Sequence, residues 1–226
     1  MSIRITDLRT VDVRFPTSDF LDGSDAMNPD PDYSAATVLL ETNDPALTGH
    51  GLTFTIGRGN DLCCRAIEAL ASRVVGRSLD ELEGAMGSFW RDLVSDSQLR
   101  WLGPEKGVTH LATAAVVNAA WDLLAKRAGT PVWKYVCELS PAEQVELVDF
   151  RHISDALSPA DARALLDRLA DSRSTREAEL RRDGYPAYIT SAGWLGYDDD
   201  KIRRAVGDEV APADPGGVDK AFKLFA

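Results

Sequence analysis

Apolar and polar residues alternate over residues 3–15, with Ile3, Ile5, Val11, Val13 and Phe15 in the apolar positions. A period of two predicts a strand. Residues 34–42 (SAATVLLET) and 49–55 (GHGLTFT) read as a second and third strand, joined by the turn chemistry of NDPALTG. The three make an antiparallel meander. The link at 16–33, PTSDFLDGSDAMNPDPDY, is too long for a simple turn, and loops of that length are usually functional or disordered. After residue 60 the period lengthens to three and four. Helices are predicted over 61–75 and 79–93, and most clearly over 108–127, VTHLATAAVVNAAWDLLAKR. There Leu111, Ala112, Ala115, Val116, Ala119, Ala120, Leu123 and Leu124 trace one face rich in small residues, and Gly129 and Pro131 end the run.

Short helices follow at 131–137 and 141–148. Ser158 and Pro159 form an N-cap and first-turn proline for a helix running to 169. Another helix covers 175–182. Residues 185–190 (YPAYIT) read as a short buried strand, and 198–205 as a helix with an acidic start. Residues 207–226 carry two prolines and three glycines with no readable period.

Composition narrows the classes. The chain has 226 residues, 44% of them hydrophobic, so a sizeable core is within reach. The net charge of -11, with no basic run, argues against nucleic acid and against an anionic membrane surface as partners. No run reaches the length of an apolar membrane span, and the N-terminus lacks a signal-peptide core. The cysteines are Cys63, Cys64 and Cys137. An odd count with two adjacent is no disulfide framework, and a reducing, cytoplasmic location is expected.

Few residues point to chemistry by themselves. His50, His110 and His152 are scattered without ligand spacing. GRGN at 57–60 lacks the third glycine of a dinucleotide fingerprint. Asp30 and Asp32 have calcium-loop spacing, but no glycine and bidentate glutamate follow in register. The adjacent cysteines open a helix and read as packing. Trp90, Trp121 and Trp133 fall on helices and read as core.

Longer segments carry a resemblance. The block AAWDLLAKRAGTPVW, 119–133, resembles the enolase superfamily, in which an α+β capping domain precedes a modified (β/α) barrel. VDVRFPTSDFLDGSDAMNPDPDYSAA (11–36), GLTFTIGRG (51–59), DSQLRWLGPEKGVTHLATAAVVNAAWDLLAKRAG (96–129), VDFRHISDALSP (148–159) and GYPAYITSAGWLGYDDDKIRR (184–204) resemble its L-fuconate dehydratase branch. The resemblance implies an α+β capping domain over 1–150. Linking helices and the first barrel βα unit would occupy 151–206, and 207–226 would be an unrelated tail. It implies a magnesium-dependent hydro-lyase. A base removes the proton beside a sugar-acid carboxylate, the metal stabilises the resulting ene-diolate, and a neighbouring hydroxyl leaves as water.

The family's Lys-x-Lys pair, three acidic metal ligands and His-Asp pair are not found. Lys220 and Lys223 are three apart and would face opposite sides of a strand. The expectation is therefore that this chain holds no catalytic or metal-binding residue and binds no magnesium. Two readings stay open, an incomplete dehydratase and a non-catalytic remnant that binds or self-associates through the surface a barrel would cover. That surface is expected near 108–124 and 185–194. Likeness that stops inside a βα unit fits either a shifted reading frame over 207–226 or a genuinely short protein. For substrate contact the resemblance points to the capping loops at 19–33 and 55–61, with Ser24, Asp25, Thr55 and Arg58 as candidates. Thr190, Ser191 and Trp194, after the first barrel strand, join them. Each of these also has an ordinary reading as a turn or surface residue.

Overall fold

The computed structural model describes residues 2–103, 107–184 and 193–210. The chain divides into two compact units, one of 1–14 with 34–173 and one of 15–33 with 174–226.

The first unit is built on a three-stranded antiparallel sheet of β1 (Ile5–Arg14), β2 (Ser34–Thr42) and β3 (Gly49–Thr55), in that order. Val38 sits opposite Thr10 on one side and Gly51 on the other. A register irregularity between Ile5 and Asp7 opens β1. There Ile5 exchanges backbone hydrogen bonds with the 76–77 turn instead, donating to Arg77 and accepting from Gly76. The alternation holds in β2, whereas in β1 Val11, an apolar position of the period, is exposed and Leu8 is buried instead, after the irregularity between Ile5 and Asp7. Ala36, Val38 and Leu40 are fully buried, while Val11, Leu52 and Phe54 stay exposed on the opposite face.

Helices cover the buried face. These are α1 (Asn60–Ala69), α2 (Ala71–Val74), α3 (Leu79–Leu82), α4 (Met86–Val94) and α5 (Val108–Arg127). The two helices expected over 61–75 and 79–93 are each broken in two. The first break is a tight turn in which the Leu70 N–H bonds Ile67 O. The second is Gly84, whose left-handed backbone (φ 77°) ends α3. Ser78 and Glu81 form a reciprocal capping box at the start of α3.

The strand β3 and α1 both pack against α5. By length and composition α5 could cross a bilayer, yet Ala112, Ala115, Val116, Ala119, Ala120 and Leu123 are wholly buried inside the protein. The close approach needs glycine. A Cβ on Gly51 would lie 2.1 Å from the Ala115 carbonyl oxygen, and one on Gly49 2.4 Å from that of Ala119. The expectation of exposed apolar surface along 108–124 is corrected by this packing. The sheet and helices cover most of α5, leaving Leu111, Ala114, Asn118 and Lys126 exposed on it. On the sheet, Val11, Leu52 and Phe54 are exposed on the far face.

The unit continues through α6 (Val132–Glu138), α7 (Pro141–Glu146), a 3-10 turn (Phe150–His152) and α8 (Pro159–Ala170). Ser140 and Ser158 cap α7 and α8 with capping boxes to Glu143 and Asp161, each followed by a first-turn proline. Cys63 and Cys64 are buried in the core, and burial pushes both thiols up.

In the second unit a 3-10 turn (Thr17–Phe20) opens the long loop. The helix α9 (Arg173–Asp183) is charged along its length, and α10 (Asp199–Val210) follows a turn at 194–197. The strand expected over 185–190, and the tail beyond 210, lie outside the described residues.

Candidate functional site

The two capping loops are tied down by different means. In the first unit the loop between β3 and α1 turns through Gly57 and Gly59, both with positive φ, and closes on Asn60. Asn60 is wholly buried. Its amide nitrogen donates to Asp12 on β1 and to the Ala35 carbonyl on β2 (3.2 Å), and its oxygen accepts from the Thr55 hydroxyl on β3 (2.8 Å). One side chain thus joins all three strands, because a buried amide must find partners for both its donors and its acceptor. Asp12 accepts two hydrogen bonds from the Arg14 guanidinium (2.9 and 2.8 Å). Arg14 first, and Asn60 second, hold its carboxyl below the usual range. Thr55 therefore acts here as a strut of the loop. Arg58, at the tip, is exposed and makes no ion pair among the described residues.

In the second unit the 15–33 loop is folded on itself. The Thr17 hydroxyl donates to the Pro31 carbonyl (2.7 Å) and accepts from the Tyr33 N–H. The Tyr33 hydroxyl reaches the Gly23 carbonyl (2.9 Å). Asp25 accepts from the N–H groups of Asn28 (2.7 Å) and Met27 (2.8 Å), and those bonds lower its pKa. This is an Asx-type turn. Ser24 is buried; its carbonyl accepts from Leu195 N–H (3.0 Å) and its hydroxyl from Gly196 N–H (3.2 Å). Beside it, Asp22 accepts hydrogen bonds from the Tyr197 hydroxyl and from the Lys201 ammonium (2.9 Å). The ammonium also lies 3.5 Å from the Tyr197 ring centroid. Tyr197 and then Lys201 hold the Asp22 carboxyl below its usual range. Trp194 is half-buried, and its carbonyl accepts from the Tyr197 N–H.

The structure brings Ser24 together with the 194–197 turn and places Thr55 and Arg58 on the first unit's loop. Thr190 and Ser191 lie outside the described residues. The residues that organise the loops are Asn60 and Asp12 in one unit, and Asp22, Tyr197 and Lys201 in the other. Sequence reasoning passed over all five. Asn60 had a signal, a polar residue at a helix start behind two glycines. Asp22 had none, because its partners are about 175 positions away.

A magnesium ion needs an octahedral set of oxygens, usually with carboxylates among them. Among the described residues no group of three or more His, Cys, Asp or Glu is placed to share a metal. Asp12, Asp22, Asp92 and Asp96 are each engaged by arginine, lysine or tyrosine. The residues described do not fit the ion, and the capping loops supply neither a base nor an acid facing one another.

Comparison with known proteins gives one result throughout. The family described as mandelate racemase / muconate lactonizing enzyme, N-terminal domain, matches residues 27–136. The L-galactonate dehydratase of Hypocrea jecorina is 52% identical over 210 residues, covering 92% of this chain and 46% of that protein. Mitochondrial enolase superfamily member 1 of Xenopus laevis is 47% identical over 208 residues, 92% of this chain and 47% of its own length. The crystal structure of the human protein of that name superposes with a TM-score of 0.88 at 47% identity, over 92% of this chain and 48% of that one. The chain thus spans just under half the length of these relatives.

Proposed function

Because this chain carries an N-terminal domain of the mandelate racemase / muconate lactonizing enzyme family, with the capping-domain fold of the enolase superfamily, we propose that it is the capping part of a sugar-acid dehydratase. The substrate class would be a six-carbon aldonic acid such as L-fuconate or L-galactonate. Its role would be to supply capping loops for substrate recognition, while magnesium chemistry comes from residues other than those described. In such an enzyme a bound divalent metal would supply positive charge at the substrate carboxylate, held by residues other than those described. The observation that carries this reading is the 52% identity to an L-galactonate dehydratase across nearly the whole chain.

A chimera tests it. Residues 1–204 replace the matching segment of the Hypocrea jecorina enzyme, and magnesium-dependent loss of water from L-galactonate and L-fuconate is measured. Retained turnover is expected. A folded but inactive chimera overturns the capping role. The 226-residue chain alone, with magnesium, is expected to show none, and turnover by it would overturn the assignment of chemistry elsewhere.

A second reading, a non-catalytic interaction module, is favoured by the open face of the sheet. Leu52 is 51% and Phe54 57% exposed there, beside the exposed Val11, and such patches mark contact surfaces. Sedimentation of the chain against its Phe54→Lys variant separates the readings. Self-association that the substitution abolishes supports the module; a monomer at all concentrations does not.

A further inference from the structure

A groove of about 630 Å³ lies on the first unit, on the side of α4, α7 and the Phe150–His152 turn. Its volume falls in the range of small-molecule sites, roughly 300–1,000 Å³. The lining is of two kinds. Val94, Val145, Val148 and Phe150 supply apolar surface, and Arg91, Arg100 and Arg151 bring three guanidinium groups. Two carboxylates, Glu146 and Asp149, complete the charge, so the groove carries a local excess of one positive charge on a chain of net -11.

The three arginines are not equivalent. Arg151 is committed to Asp149 (2.6 Å). Arg91 is fixed in place, with one terminal nitrogen donating to the Glu146 carbonyl (3.0 Å) and its guanidinium 5.7 Å from the Trp90 ring centroid. Its approach to the Glu146 carboxylate is long, at 4.0 Å, so donors remain on it. Arg100 is exposed at the start of the Arg100–Leu102 turn and has no carboxylate or carbonyl partner among the described residues. A positioned arginine and an uncommitted one, over apolar side chains, match an anionic head group with an apolar body. Arginine's planar fork suits carboxylate or phosphate oxygens, and desolvation by the apolar lining strengthens the contact. We infer that this groove binds a small organic anion, a carboxylate or phosphate carried on an apolar or aromatic body. It is separate from the capping loops, and the inference does not rest on the dehydratase reading.

Phenyl phosphate is the probe, titrated into the ¹⁵N-labelled 226-residue chain while the arginine side-chain N–H resonances are followed. A saturable Kd of about 1 mM or tighter is expected, with shifts at Arg91 and Arg100. Inorganic phosphate should bind at least about tenfold more weakly, because it lacks the apolar body. Arg100→Gln should weaken phenyl phosphate by about tenfold or more with Tm unchanged, since the side chain is exposed. Arg65→Gln, on α1, should change nothing. No saturable shift, unchanged affinity in Arg100→Gln, or equal binding of inorganic phosphate would each overturn the site. The last would reduce it to a patch that attracts anions.

Discussion

Replacing Gly51 with alanine adds one methyl group at the tightest contact of the fold. The new Cβ would stand 2.1 Å from the Ala115 carbonyl oxygen, 2.6 Å from the Ala119 nitrogen and 3.1 Å from its Cβ. The first two are backbone atoms of wholly buried residues of that helix, so no rotamer change relieves them. To reach even 3.0 Å, β3 and α5 must separate by about 1 Å, and a gap of that size forfeits up to about half the dispersion attraction of the atoms facing it. Overpacking of this kind costs about 3 kcal/mol or more. For a chain of this length that is a fall in Tm of about 6–12 °C. Urea and thermal unfolding followed by far-ultraviolet circular dichroism measure it. A second variant sharpens the test. If only the Ala119 methyl were in the way, Gly51→Ala with Ala119→Gly would recover stability; the backbone contacts predict that it does not. A loss under about 1 kcal/mol, or rescue by Ala119→Gly, would refute the reasoning.

Asn60→Ala should cost about 2–3 kcal/mol in urea unfolding, because it strips hydrogen bonds from Asp12, Thr55 and the Ala35 carbonyl at once, and should speed proteolytic cleavage within 55–60. The Asp12 carboxyl is held below its ordinary value by Arg14 and Asn60, so its contribution is present above about pH 4 and lost as pH falls through the depressed folded value. Tm measured from pH 6 to pH 2 should therefore fall less steeply in Asp12→Asn than in the parent. The Thr113 hydroxyl is buried without a hydrogen-bond partner among the described residues. Thr113→Val keeps the shape and removes the unpaired group, and should be neutral or raise stability by about 1 kcal/mol, read from the urea midpoint.

Much of the fold was legible because its signals are local. The strands 34–42 and 49–55 and the helix 108–127 have the bounds that periodicity and turn residues predict. The cap at Ser158 follows from serine and proline placement. The breaks within 61–75 and 79–93 leave no mark on the hydrophobic pattern, since both runs keep an apolar period across them; Gly84, with its left-handed backbone, carries the second. The candidate site was legible only as loops. Ser24, Asp25 and Thr55 sit on them but bond to backbone or neighbours that hold the loops, and the groove of Arg91 and Arg100 left no pattern at all.

The sequence by itself determined the order of elements, the small-residue helix and the family likeness, because each is written within a few turns or a single strand. Tertiary structure alone decided that Asn60 ties three strands, that Asp22 meets Tyr197 and Lys201, and that α5 is mostly covered while Leu52 and Phe54 stand open. Those facts depend on pairings between residues tens to nearly two hundred positions apart. Polar side chains leave their partners unspecified until packing removes water and requires each buried donor and acceptor to find one.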